Sequence, residues 1–241
     1  MDYDNNITQK KRALFNWSGG KDSALALYKV MEEEEEYDVV SLLTTVNSNT
    51  HRSSMHAIPV SILQAQADSI GIPLYIAELS PDGEMQGYNQ AMITAVDHFK
   101  AIGVDHFIFG DIFLHDVRSY REKQLNPYKI EVVEPLWDRS SEEVMEMFLE
   151  SGLKTIVVTT MADLLGEEYI GRIIDRSFIE SLPQGIDVCG ENGEYHTFCF
   201  DGKIFRYPIP FEIGAPFRQT HEVNMKDGTT QSFSYWYTEL K

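Results

Sequence analysis

The chain is expected to fold as an α/β protein, a parallel sheet with helices on both faces, followed by a smaller α+β domain. Three observations predict this. Apolar strand-like segments alternate with helix-like ones through the first half, the pattern of a helix-covered parallel sheet. A glycine turn joins the first such strand to the first such helix. Toward the end, the segments 218–225 and 230–237 flank Lys226-Asp227-Gly228, a hairpin signal. The division is placed at 1–138 for the first domain and 139–241 for the second.

The elements follow in order. The apolar run 13–17 leads through a glycine turn into a helix beginning near residue 24. Residues 38–46, rich in Val, Leu and Thr, read as a buried strand. Residues 58–70 carry apolar side chains at helical spacing and stop at Gly71, a natural C-cap. A strand at 73–77, a helix at 88–102 closed by Gly103 and a strand at 106–109 continue the alternation. Gly110-Asp111 then follows a strand, as the opening loop does, and ligands of parallel α/β sheets bind at strand carboxyl ends. A further strand at 129–133 runs into Glu134-Pro135-Leu136-Trp137. Ser140 or Ser141 caps a helix reaching 149, with Gly152 closing it. Residues 154–159 predict a strand, 165–179 mostly helix, and antiparallel strands are expected from 203 onward.

Composition narrows the function. At 241 residues and 43% hydrophobic, the chain buries a proper core. Its net charge of −18 repels a nucleic-acid backbone, and Lys10-Lys11-Arg12, the densest basic cluster, reads as a strand flank. Two cysteines, Cys189 and Cys199, form no Cys-x-x-Cys pair and are too few for a structural zinc site; both read as buried small hydrophobes. With no signal-like leader and no bilayer-spanning apolar run, the protein is expected to be soluble and cytoplasmic, so the sequons at 6–8 and 16–18 read as chance matches. The acidic run 32–36 reads as a solvated helix end.

Ser18-Gly19-Gly20-Lys21-Asp22-Ser23 carries the strongest chemical signal. A glycine turn between strand and helix presents uncapped N–H groups and the positive end of a helix dipole beside a lysine, an arrangement suited to phosphate or pyrophosphate. Gly19 and Gly20 allow close backbone approach to the anion, and Lys21 supplies a mobile charge. Ser18 and Ser23 offer hydroxyls, while Asp22 is the candidate ligand for Mg²⁺ or its water shell. The adjacent glycines do not match a Walker A loop. The plain alternative is a capped helix start with Ser18 or Asp22 as N-cap.

A second constellation lies at 187–197, where Asp187, Glu191, Glu194, His196 and Thr197 are interleaved with Gly190 and Gly193. The glycines predict a tight exposed backbone with projecting acids, able to orient ammonia, bind Mg²⁺ or act as a base. His196 is expected to titrate in the range for proton transfer. The plain alternative is a polar hairpin turn.

Taken together, Ser18 to Ser23, Met55-His56-Ala57-Ile58-Pro59, Phe109-Gly110-Asp111-Ile112, Pro135-Leu136-Trp137 and Gly190 to Thr197 resemble the diphthine–ammonia ligase family of PP-loop ATP pyrophosphatases. The resemblance implies an ATP- and Mg²⁺-dependent ligase that adenylates a carboxylate, releases pyrophosphate and transfers ammonia to give an amide and AMP. It implies nucleotide binding by Ser18, Gly19, Gly20, Lys21, Asp22, Ser23, Gly110 and Asp111, and catalysis by Lys21 with Glu191, Glu194, His196 and Thr197. His56, Arg118 and Arg121 are weighed between site and structural roles. Partners are ATP, ammonia and a carboxylate, protein-borne or small, with a homodimer as the candidate assembly and no membrane. The chain departs from the family's Gly-Glu-Gly-Gly-Glu-[Phe/Tyr]-Glu-Thr pattern at Asn192 and His196. Amidation of a small-molecule or cobalamin-pathway carboxylate is therefore an alternative acceptor chemistry. A tRNA-modifying PP-loop enzyme and a non-catalytic ATP-binding module are the competing classes.

Overall fold

The computed structural model describes residues 10–32, 36–54, 56–80, 85–224 and 229–241. Met55, the sequon at 6–8, most of the acidic run 32–36 and the turn residues Lys226-Asp227-Gly228 lie outside them.

Two sheets organise the chain. The first contains β1 (Lys11–Asn16), β2 (Tyr37–Asn47), β3 (Arg52–Ser53), β4 (Leu74–Leu79), β5 (His106–Ile108) and β6 (Glu131–Val133). Its parallel strands run in the order β4-β2-β1-β5-β6, and the short β3 pairs antiparallel with the end of β2. Strand order therefore reverses direction between β1 and β5. A crevice opens at such a reversal, at the carboxyl ends of the strands, and loops meet there.

Both faces of this sheet are buried because alternate β1 side chains enter different cores. Ala13 and Phe15 pack with α1 (Lys21–Glu32) and α2 (Val60–Ile70), whereas Leu14 packs with Ala95, Val96 and Phe99 of α3 (Met85–Ala101). Helix α2 ends as its sequence predicts, with Gly71 left-handed at φ 85° and its N–H on the Ala67 carbonyl. Helix α4 (His115–Leu125) has no apolar period and only Leu125 buried, which is why sequence pattern did not reveal it.

Helix α5 (Ser141–Ser151) begins with a full capping box, in which Ser140 accepts from the Glu143 N–H and Glu143 accepts from the Ser140 N–H. The second sheet follows: β7 (Lys154–Met161), β8 (Tyr195–Asp201), β9 (Phe217–Asn224) and β10 (Thr230–Tyr237), all antiparallel in the order β8-β7-β10-β9. The antiparallel part thus starts at β7, well before residue 203. The helix expected over 165–179 is also corrected. Only a 3₁₀ turn at Glu167–Tyr169 and a short α6 (Arg176–Ser181) form there. Gly171 turns left-handed at φ 78°, and residues 171–174 run beside β7, exchanging backbone hydrogen bonds with Val157 and Thr155. Pairing with the sheet outcompetes helical propensity in this segment. One core then runs from β1 and α1 through Phe148 of α5 to Val157 and Phe198. Among the described residues, no helix is long and apolar enough to cross a membrane.

Candidate functional site

The loop between β1 and α1 is held from three sides. Gly19 is left-handed at φ 82°. Its carbonyl accepts from the Cys199 N–H at 2.8 Å and from Gln66 Nε2 at 3.1 Å. Gln66 also accepts from Trp17 Nε1 at 2.9 Å and donates to the Cys199 carbonyl at 2.6 Å. This fully buried side chain on α2 ties the loop to β8. The sequence signal for it was an amide on a mostly apolar helical stripe, with Ile62, Leu63, Ala67 and Ile70 around it.

Within the loop, Ser18 Oγ and Ser23 Oγ lie 3.0 Å apart, and Ser23 Oγ donates to the Gly20 carbonyl. The Asp22 and Ser23 N–H groups at the helix start find no protein acceptor among the described residues. They are free donors at the positive end of α1, where an anion is favoured. Lys21 is 1% exposed, its ammonium bonded to Asp22. Burial alone would lower the Lys21 pKa, but the adjacent Asp22 outweighs it and the net shift is upward. The ammonium stays charged at every physiological pH.

The second constellation docks on this loop. Thr197 Oγ1 accepts the Lys21 N–H at 2.8 Å, and the Thr197 carbonyl takes a hydrogen bond from His56 Nδ1 at 2.9 Å. A carbonyl only accepts, so His56 carries its proton on Nδ1. The His56 ring covers Gly20 so closely that a Cβ there would meet His56 Cε1 at 2.5 Å and the Thr197 carbonyl at 3.0 Å. The His196 ring lies 4.9 Å from that of His56. Burial, reinforced by His56, pushes the His196 pKa down to about 3, and burial also lowers that of His56. Both are neutral imidazoles at pH 7, which corrects the expectation that His196 titrates near neutrality.

The acids of the 187–194 loop divide into two kinds. Asp187 accepts from Ser141 Oγ and from the N–H groups of Cys189 and Glu191. Glu194, 4% exposed, accepts from the Asp187 N–H, the Asn192 N–H and Asn192 Nδ2 at 3.0 to 3.3 Å. These two carboxylates close the loop on itself rather than projecting from it. Glu191 faces the first loop. It accepts only weakly from the Ile112 N–H, at 3.2 Å, and burial together with the nearby Asp22 charge pushes its pKa up to about 7. Glu191 is therefore the group here that changes charge near neutral pH.

Gly110 and Asp111 also reach this place, but in different ways. A Cβ on Gly110 would lie 3.0 Å from the Asp22 carbonyl and from Ser23 Cα, so only glycine lets the β5 loop touch the start of α1. Asp111 is paired with Arg121, whose guanidinium lies 4.0 Å over the Phe109 ring. Arg118 and Arg121 flank Glu134, whose side chain is fully buried, at 3.2 Å and 3.6 Å. The two arginines are thus engaged beside the site rather than open to it. Burial raises the Glu134 pKa against the pull of both. Cys189 and Cys199 are buried, and burial holds the Cys189 thiol at about 12, so neither is an activated nucleophile. Among the described residues, no three His, Cys, Asp or Glu side chains gather as a metal-binding group.

Residues 10–126 match the model of the diphthamide synthase N-terminal domain, and residues 140–225 match that of the C-terminal domain. The chain belongs to the diphthamide synthase family. Both elements of the site fall within family segments, the 18–23 loop in the first and the 187–197 loop in the second. Curated relatives are diphthine–ammonia ligases. The cattle protein is 32% identical over 79 residues, 31% of this chain and 30% of that one. The mouse protein is 23% identical over 212 residues, 80% of this chain and 79% of that one. The zebrafish protein is 24% identical over 214 residues, 80% and 83%. The chain thus spans about 30% of the length of the cattle relative, while its longer, more divergent matches cover most of both chains. A solved U34-tRNA thiolase NcsA from Methanococcus maripaludis is 16% identical over 58% of this chain and 56% of that one, with a TM-score of 0.36.

Proposed function

We propose that this protein is an ATP-dependent amide ligase that adenylates a carboxylate, releases pyrophosphate and transfers ammonia, with diphthine as the acceptor class. The observation that carries this reading is the docking of Thr197 on the Lys21 N–H, with Glu191 beside Asp22. It joins a phosphate loop to an acid of near-neutral pKa in one small volume.

In this reading the β- and γ-phosphates of ATP lie at the start of α1. The Asp22 and Ser23 N–H groups and the Ser18 and Ser23 hydroxyls receive them, with the positive charge of the buried Lys21 ammonium behind the loop. The site's own charges lean acidic, because Asp22 already offsets Lys21 while Asp187 and Glu191 stand close by. A polyphosphate entering beside these carboxylates needs a cation, and Asp22, the acid of the 18–23 loop, is the residue that would share one. That fits Mg²⁺ held mostly by phosphate oxygens and water, where it would neutralise the charge developing on the leaving pyrophosphate.

The acceptor carboxylate attacks the α-phosphorus, giving acyl-adenylate and pyrophosphate. Ammonia then attacks the acyl carbon, AMP departs, and Glu191 takes the proton that nitrogen must lose. Thr197 holds the loop backbone in register, and Glu194 holds the loop that presents Glu191. His56 and His196 form an uncharged wall beside Gly20 and exchange no protons. The test is release of AMP and pyrophosphate from ATP with ammonium, comparing a diphthine-bearing protein with small carboxylic acids. Amide formation on the diphthine-bearing protein supports the reading. ATP turnover only with a small acid transfers the acceptor assignment to that acid, and no turnover with either overturns the ligase reading.

A further inference from the structure

The second sheet has two edges of opposite character. Strand β8 is covered by the 18–23 loop, whereas among the described residues β9 ends the sheet, and its residues 217–222 are all exposed. An open edge strand of this length is a template for pairing with another chain. Three features of β9 and β10 specify what it pairs with.

Charge is the first. The chain carries −18 overall, yet β9 and β10 together hold one arginine, Arg218, and one glutamate, Glu222. This ribbon is locally neutral, so two strongly acidic copies can meet there without the repulsion they meet elsewhere.

Spacing is the second. Arg218 and Glu222 lie on the same face of β9, because their partners on β10 are Trp236 and Ser232. Four residues along a strand separate them by about 13 Å, too far for them to pair with each other. Neither makes an ion pair among the described residues, where every salt bridge involves other groups.

Self-complementarity is the third. If β9 pairs antiparallel with its own copy about a two-fold axis at Thr220, residue 218 stands opposite residue 222 of the copy, and the reverse. Arg218 then faces the copy's Glu222 twice in one interface, and opposite charges directly across a strand pair are favourable. The opposite face of the ribbon carries an aromatic row, Phe217, Phe233, Tyr235 and Tyr237, with Phe217 and Tyr237 stacked at 5.7 Å. It extends the apolar surface that such a pairing brings together.

We propose that β9 is the edge through which two copies of this chain associate, antiparallel and centred on Thr220, joining their four-stranded sheets into one. The catalytic loops lie at the β8 edge, so this proposal stands or falls independently of the reaction.

Sedimentation velocity on the full chain over a concentration series tests it. The wild type is expected to dimerise. Arg218→Glu and Glu222→Arg each place like charges across the axis twice, and each is expected to weaken the dimer at least tenfold, about 1.4 kcal/mol. The double exchange, Arg218→Glu with Glu222→Arg, recreates both pairs in reverse and is expected to restore it. Circular dichroism of each variant checks that the hairpin is intact. A wild type that stays monomeric at about 100 μM, weaker than the micromolar range of specific association, overturns the proposal. So does a dimer indifferent to the single exchanges, or one the double exchange fails to restore.

Discussion

The loop at 18–23 and the loop at 187–197 meet at one place, yet they spend their polar groups differently. The first leaves the Asp22 and Ser23 N–H groups without a protein acceptor among the described residues and buries the Lys21 ammonium on Asp22, while the fixing is done from outside by Gln66, Cys199 and Thr197. The second uses most of its polar groups on itself. Asp187 and Glu194 accept six hydrogen bonds between them from their own loop and from Ser141, leaving Glu191 as the acid aimed outward. A loop that binds an anion must leave N–H groups unpaired, while a loop that presents one carboxylate must immobilise its backbone. The difference follows from those two needs.

The largest effect is expected at Lys21. Lys21→Met keeps the buried volume and removes the charge, and it is expected to lower AMP release by about 10²–10³-fold, as loss of a preorganised charged donor does. Circular dichroism should show the fold retained, and near-normal turnover would mean the 18–23 loop does not hold the phosphates. Next in size is Gly20→Ala. The new Cβ falls 2.5 Å from His56 and 3.0 Å from the Thr197 carbonyl, so the second loop has to move off the first. Nucleotide affinity should fall together with stability, and an unchanged dissociation constant by calorimetry would contradict the contact.

Two further substitutions set the acids of one loop against each other. Glu194→Gln replaces a double acceptor with one acceptor and one donor facing N–H groups, at an expected cost of about 1–3 kcal/mol in urea unfolding. Glu191→Gln should do the reverse. The Glu191 pKa in the folded protein, about 7, is raised above the ordinary carboxyl value, so the folded state holds the proton more tightly than the unfolded one. Its contribution to stability is present at low pH and is lost as pH rises toward and through 7. Glu191→Gln should therefore be more stable than wild type at pH 8 and lose that advantage at pH 4. A uniform destabilisation would place Glu191 with Glu194 as a loop fastener. The smallest effect is expected for Thr197→Val, which leaves the buried Lys21 N–H without an acceptor and should cost about 1–2 kcal/mol, with Thr197→Ser near wild type.

Much of this was legible in the sequence. Apolar spacing with Gly71 and Gly152 as stops located α2 and α5, and the 18–23 hexapeptide marked the turn between the first strand and the first helix. What the sequence hid has physical causes. Helix α4 lacks an apolar stripe, and the 171–174 segment chose a strand partner over a helix that no local pattern forbade. The roles of Glu191, Glu194 and His196 depend on which side chain ends in a dry volume and which folds back on its own backbone. Spacing along the chain carries no information about that. A histidine reads as a titrating group until burial and a second imidazole take away its proton.

The most direct test is the pH dependence of kcat/KM for ATP-dependent amide formation. The wild type should show a limb rising with pH through an apparent pKa near 7, because Glu191 must lose its proton to act as the base. His196→Gln should keep that limb, and Glu191→Gln should flatten it at a low rate. A limb that survives in Glu191→Gln and disappears in His196→Gln would contradict the assignment and return the proton transfer to the histidine.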